Sequence, residues 1–311
     1  MPEQIKPAPF TLEATYKARE VEGVLDLYFF RPVGFRLAQF FAKVEMTPTA
    51  VTLLAGLVGV IGGHLFYYRD LRTNVVGMAL LVCANALDNA DGQLARLTHG
   101  ESREGRIIDS LADHLVFVSI YVNLTLRYLV EGSSPAVCLL ALAAGVSHAL
   151  QGAAADYYRT TYLYFGTNRS PMRLDSSSTL RSNFRELSWR REPWHKFLTA
   201  LYLNFTRQQE MFSPHLKRLR DTVGQHFHSE IPNWLRTRYR NLAGPMFKWW
   251  GLLMTNTRML VLFAFLFIGQ PIWYFWFELT LLNLLLVYLI LRQENMAESL
   301  EEAAVTSQNS D

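Results

Sequence analysis

Charge is scarce in this chain. Only 18% of its 311 residues are Asp, Glu, Lys or Arg, against 50% hydrophobic and 13% aromatic. A chain this apolar is not expected to remain disordered. Cysteine is nearly missing as well. Cys83 and Cys138 each fall inside an apolar run without metal-site spacing, and read as small buried hydrophobes rather than ligands. His195, His215, His226 and His228 show no convincing ligand spacing either, so a zinc site is not expected. The opening MPEQIKPAPFTLEATYKARE is polar and charged and offers no apolar core for a secretory signal. No internal repeat is evident.

Long apolar runs are what the chain has instead. A helix needs roughly 20 apolar residues to cross the hydrocarbon core. Six segments come close, at 47–68, 74–96, 105–128, 134–157, 251–268 and 271–291. The predicted fold class is therefore an all-α polytopic membrane protein. Gly59 and Gly63 in the first span permit close helix contact, within the chain or between copies. Residues 24–46, VLDLYFFRPVGFRLAQFFAKVEM, alternate apolar positions with Arg31, Arg36 and Lys43 at helical spacing, interrupted by Pro32. That pattern predicts an amphipathic helix lying in the interface.

The domain division expected is a polar segment 1–23, the interfacial helix 24–46, four spans over 47–159, a basic connector 160–250, two spans over 251–292 and an acidic tail 293–311. A connector this long is usually functional or independently folded. Its runs WRREPWHKFLTALYLNF and PHLKRLRDTV read as amphipathic helices resting on an anionic leaflet. Arg96, Arg103 and Arg106 around the second connector, with the basic 158–250 stretch, outweigh Arg69 and Arg72 on the other side. The positive-inside rule then places both termini, the aspartate hairpin and the large connector in the cytoplasm, and the expected location is a bacterial inner membrane.

Residues 87–114, LDNADGQLARLTHGESREGRIIDSLADH, carry four aspartates between two apolar runs. Asp88 and Asp91 are three apart, and Asp109 and Asp113 four apart, so each pair shares a helix face. A connector over 97–104 with Gly100 and Ser102 can reverse the chain and bring the four carboxylates to one cleft. Such charges repel strongly in a low dielectric. Two divalent cations would cancel them, and carboxylate-only ligation suits magnesium or manganese. The alternative is a pair of polar helix ends whose aspartates pair with Arg96, Arg103 and Arg106.

The string Asp88-x2-Asp91-Gly92-x2-Ala95-Arg96-x8-Gly105-x3-Asp109-x3-Asp113 resembles the signature of the CDP-alcohol phosphotransferase family at every specified position. The likeness covers residues 24–160 well and the last two spans loosely. One difference lies at the start of the first span. Related proteins often have Pro-Asn there, and this chain reads Pro48-Thr49-Ala50-Val51-Thr52.

The resemblance implies that Asp88, Asp91 and Asp109 bind metal, with Asp113 a further ligand and the general base. It also implies a nucleotide site lined by Pro48, Thr52, Gly92, Ala95, Arg96 and Gly105, and a homodimer. The expected reaction moves a substituted phosphate, such as phosphatidyl from CDP-diacylglycerol, to an acceptor hydroxyl and releases CMP. Polar groups at membrane depth are functional suspects. Among His148, Gln151, Asp156, Arg159, Asn256 and Arg258, the two arginines either bind an acceptor phosphate or snorkel to the interface. The partners expected are the CDP-alcohol donor, the acceptor and the bilayer, with no nucleic acid. The alternatives are transfer of a CDP-linked head group of ethanolamine or choline type to a lipid alcohol, and an ion transporter using the aspartates as a relay.

Overall fold

The computed structural model describes residues 19–98, 100–167, 176–226 and 231–308, and all regular structure among them is helical. Most of the polar 1–23 segment, His228 and the last three residues of the acidic tail lie outside the described residues. In chain order the α-helices are α1 (Arg31–Lys43), α2 (Pro48–His64), α3 (Leu71–Leu97), α4 (Arg103–Val130) and α5 (Ala136–Gly166). Then follow α6 (Ser177–Glu186), α7 (Pro193–Phe212), α8 (Pro214–His226), α9 (Asn233–Ala243) and α10 (Phe247–Trp250). The chain ends with α11 (Thr255–Phe267), α12 (Ile272–Phe277) and α13 (Asn283–Gln308).

Among the described residues five helical stretches are long and apolar enough to cross a membrane: Pro48–Tyr67, Glu104–Val130, Ala136–Gly166, Asn233–Phe267 and Ile272–Thr306. They overlap five of the six expected spans. The remaining one, α3, has 27 residues but carries Asn74, Asn85, Asp88, Asn89, Asp91 and Gln93, which dilute its apolar character. Two spans run further than their hydropathy suggests. α5 continues to Gly166 because Tyr157, Tyr158, Tyr162 and Phe165 keep a buried face beyond the apolar run. The last helix continues to Gln308 because Met296, Ala297, Leu300 and Ala304 remain buried. The acidic end is thus one side of a packed helix rather than a solvated tail.

By their internal packing the residues divide into two compact units, Met1–Arg127 and Tyr128–Asp311. In the first, α2 lies against both α3 and α4. A Cβ on Gly59 would come within 2.5 Å of Val116, and one on Gly77 within 2.8 Å of the Gly62 carbonyl oxygen. Small residues on α2 therefore serve contacts inside the chain. Ser119 donates to the Val60 carbonyl at 2.9 Å, and His64 Nδ1 meets Asn123 Oδ1 at 2.9 Å, pinning α2 to α4. Thr47 caps α2 by accepting from the Ala50 N–H, with Pro48 at the first helical position. α1 rests on this layer through Ala38 and Phe41, which join Val51, Ala90 and Leu94 in one buried cluster. Pro32 does not interrupt the helical run within residues 24–43. A π-helical turn, Asp26–Phe30, precedes it, and proline is tolerated in the first turn of the α-helix that follows.

The second unit joins α5 to α9 through aromatic pairs, with Phe165 and Tyr239 ring centroids 5.1 Å apart. Tyr158 stacks on Trp250 at 4.5 Å and hydrogen-bonds Ser213. α6, α7 and α8 are tied together at Glu210. Its carboxylate accepts from the Ser177 N–H at 3.1 Å and hydroxyl at 2.6 Å and from Arg220 at 3.1 Å, with Lys217 at 3.2 Å. Burial alone would raise the Glu210 carboxyl, but these donors hold it below its ordinary value. The tie is therefore present above the usual carboxylate range and is lost as pH falls through the lowered value. α8 reaches α13 where the His215 N–H donates to Glu294 at 2.8 Å.

Both cysteines, expected to be buried, are exposed on α3 and α5. An apolar run marks a helix that faces lipid on one side, so a small apolar residue there need not point inward.

Candidate active site

The aspartate pairs sit at the facing ends of α3 and α4, joined by residues 98–102. This turn is shorter than the 97–104 connector expected, because both helices extend into it. The Gly100 N–H bonds the Ala95 carbonyl at 2.8 Å and closes the end of α3. Ser102 accepts from the Gly105 N–H at 2.9 Å and starts α4.

The reversal brings carboxylate oxygens of Asp88, Asp91 and Asp109 within 4.8 Å of one another. Asp91 is buried, and the other two are half-buried. Asp113, one turn further along α4, is exposed and outside this trio, yet within electrostatic reach of all three. Thr52 on α2 donates its hydroxyl to Asp91, so three helices meet at one carboxylate. Three carboxylates with only oxygen to offer form a hard donor set of the kind that holds magnesium or manganese.

Of the residues expected to line a nucleotide site, Thr52 touches the trio directly, and the others lie on the same three helices. Pro48 lies at the α2 N-terminus, against the connector, where a Cβ on Gly100 would be 3.8 Å from its ring. Arg96 folds back over Gly92, whose missing Cβ would sit 3.6 Å from the guanidinium. Ala95 and Gly105 are half-buried on the facing helix ends. Gly105 also has a structural task, since a Cβ there would come within 3.0 Å of the capping Ser102 oxygen. Ser102 itself was not singled out as a cap, although a serine three residues before Gly105 at a helix start is a legible signal.

The two arginines expected near an acceptor lie in the second unit. Arg258 is 1% exposed, and its three nitrogens bond Glu278 at 2.8 Å, Gln151 at 2.7 Å and the Leu253 carbonyl at 3.1 Å. Gln151 also donates to the Glu278 carbonyl at 3.0 Å and to Asn283 at 2.7 Å, across a π-helical turn at Glu278–Leu282. His148 stands 3.6 Å from Glu278. Arg258 is thus a buried partner of Glu278, engaged inside the helix bundle. Sequence reading missed Glu278, since a lone carboxylate in an apolar run shows no partner locally. Arg159 is half-buried on α5, and Asp156 is exposed one turn before it.

Comparison with known proteins bears on the same region. Residues 45–163 match the family model described as CDP-alcohol phosphatidyltransferase. The archaetidylinositol phosphate synthase of Pyrococcus horikoshii is 30% identical over 96 residues, which is 31% of this chain and 50% of that protein. The chain thus aligns with about half the length of that curated relative. Both aspartate pairs, the turn between them and the start of α2 lie inside the matched span, so over residues 45–163 the chain is similar to the CDP-alcohol phosphatidyltransferase family.

Proposed function

We propose that this protein transfers a substituted phosphate from a CDP-linked alcohol, CDP-diacylglycerol in the first instance, to an acceptor hydroxyl and releases CMP. The carrying observation is the convergence of Asp88, Asp91 and Asp109 from both arms of one hairpin to within 4.8 Å. A relative named for making archaetidylinositol phosphate supports a lipid product with a phosphorylated polyol head.

In this reading Asp88, Asp91 and Asp109 would hold two divalent ions, with Asp113 a further ligand. When bound, these ions neutralise the pyrophosphate and stabilise charge developing during transfer. Thr52 keeps Asp91 oriented through its hydroxyl. Pro48, Gly92, Ala95 and Gly105 leave room for the nucleotide, and Arg96 offers a guanidinium to its phosphates. Asp113, exposed at the edge of the trio, takes the acceptor's proton as the acceptor oxygen bonds to phosphorus. The bond from phosphorus to the CMP oxygen breaks, and the electron pair leaves with CMP. α3 makes a sixth crossing, the site faces the cytoplasm, α1 lies in the interface, and the active form is a homodimer.

The test is CMP release by the purified full chain in detergent. CDP-diacylglycerol and CDP-ethanolamine are each offered with a panel of acceptors, including glycerol 3-phosphate and inositol phosphate, with and without EDTA. Release from CDP-diacylglycerol that EDTA abolishes and magnesium restores is the expected result. Release from CDP-ethanolamine alone would make the protein a head-group transferase instead, and no release from either would overturn the assignment.

A further inference from the structure

The connector between the fifth and ninth helices holds a feature that transfer chemistry does not use. α6 and α7 pack on each other and leave a cavity of about 490 Å³, open to solvent. Arg181 and Arg185 enter it from α6, and Arg207 from α7. Glu186 is the acidic residue on its wall. Arg181 and Arg185 are four residues apart on one helix face, a like-charge spacing that destabilises an isolated helix. Among the described residues neither they nor Arg207 forms an ion pair, and all three are exposed. Three guanidiniums lining one cavity, with no ion pair among the described residues, are an arrangement that an anion would relieve.

The hydroxyls nearby are already committed. Ser177 donates to Glu210, Ser178 shares its hydroxyl with Ser176 at 2.7 Å, and Ser182 donates to the Thr179 carbonyl at 2.8 Å. The N–H of Ser177 is held by Glu210 as well. Recognition therefore falls to the arginines. Their planar forks match phosphate oxygens two at a time. Three positive charges against one negative charge leave a surplus equal to the charge of a phosphomonoester, roughly −1.5 to −2 near neutral pH. The volume lies within the roughly 300–1,000 Å³ of small-ligand sites.

We propose that this α6–α7 cavity binds a phosphomonoester through Arg181, Arg185 and Arg207. The group comes either from a lipid such as a phosphatidate or from a soluble phosphorylated polyol. Trp189 and Trp194, both more than half exposed beside the same helix pair, are the side chains expected at a membrane interface and keep the lipid source in play. The site does not depend on the transferase reading, and its test does not use CMP release.

The experiment measures binding to the full chain in phosphatidylcholine nanodiscs. Glycerol 3-phosphate is titrated by calorimetry, and dioleoyl phosphatidate is incorporated and counted by native mass spectrometry. Binding of either probe with Kd below about 1 mM is expected, and the probe that binds names the source. R181A/R185A/R207A should weaken it by at least about tenfold, as expected when charge-assisted hydrogen bonds are lost. E186Q should tighten it, because the opposing charge is gone. That second variant acts in the favourable direction, so misfolding cannot imitate it. Absence of binding by the natural chain, undiminished binding by the triple variant, or weaker binding by E186Q overturns the site.

Discussion

In the proposed reading Thr52 orients a ligand and Asp113 takes a proton, and the two roles separate by measurement. Thr52 is 5% exposed, and its hydroxyl bonds both the Pro48 carbonyl and Asp91. Replacing it by valine keeps the shape and removes the donor, leaving Asp91 buried without its α2 partner. Groups that orient a metal ligand typically account for about 10–100-fold in affinity. Thr52→Val should therefore weaken manganese binding by about that much, read by electron paramagnetic resonance titration, and Thr52→Ser should restore it. Asp113 is exposed and lies outside the trio. Asp113→Asn should lower kcat by about 10²-fold or more while manganese affinity changes less than in Thr52→Val. Equal losses of binding in the two variants would make Asp113 purely a ligand and leave the general base to another group. That each aspartate pair shares a face was readable from spacing, because three- and four-residue intervals fix a helix face wherever the helix lies. The Arg258–Glu278 pair was not, because its members are twenty residues apart on different helices. Spacing within one element says nothing about such a partner.

At the scale of elements, α2 is the piece on which the site geometry depends. It approaches α3 so closely that the ideal Cβ of Gly62 lies 3.0 Å from the Gly77 carbonyl oxygen. A backbone atom cannot swing aside as a side chain can. Gly62→Leu must therefore push α2 from α3, and overpacking of this kind costs about 1–3 kcal/mol. A fall in melting temperature in detergent is expected, with Thr52 drawn away from Asp91 as a consequence. Gly152 on α5 has nothing within 4 Å of its ideal Cβ, so Gly152→Ala should leave the melting temperature level or slightly raised. If both substitutions behaved alike, the close α2–α3 contact would not be what holds the first unit. The hairpin and most spans were legible because apolar runs and fixed motif spacing are local signals. The end of α13 was hidden by its acidic composition, although Met296, Leu300 and Ala304 recur every four residues as a buried stripe. α6 to α9 were recognisable as amphipathic, but which faces pair depends on contacts such as Glu210 with Ser177 and Arg220, which no single segment contains.

For the whole molecule the open question is one of parity. Five crossings place the two ends of the chain on opposite sides of a membrane, and six place them on the same side. α3 decides between them. Its 27 residues span about 40 Å at 1.5 Å per residue, more than a hydrocarbon core of about 30 Å. Its polar groups are shielded by neighbouring chain rather than turned to lipid: Asn74 is 1% exposed, Gln93 0% and Asp91 5%. Gln93 in addition donates to the Arg31 carbonyl at 3.1 Å. A helix whose polar side chains are buried against neighbouring chain can cross where hydropathy alone argues against it. Arg96 and Arg106 flank the 98–102 turn, and the proposed orientation puts that end of α3 in the cytoplasm. Arg72 lies at the opposite end of α3 and is exposed, as is Glu101 in the turn. Because Cys83 and Cys138 are exposed, the measurement starts from C83S/C138S. In that background Arg72→Cys should react with a membrane-impermeant maleimide added to intact cells. Glu101→Cys should react only after the membrane is opened. Labelling of both from the outside, or of neither, would place the two ends of α3 on one face and reduce the count to five. The reverse pattern would keep six crossings and invert the protein, turning the acidic trio away from the compartment that supplies CDP-linked donors.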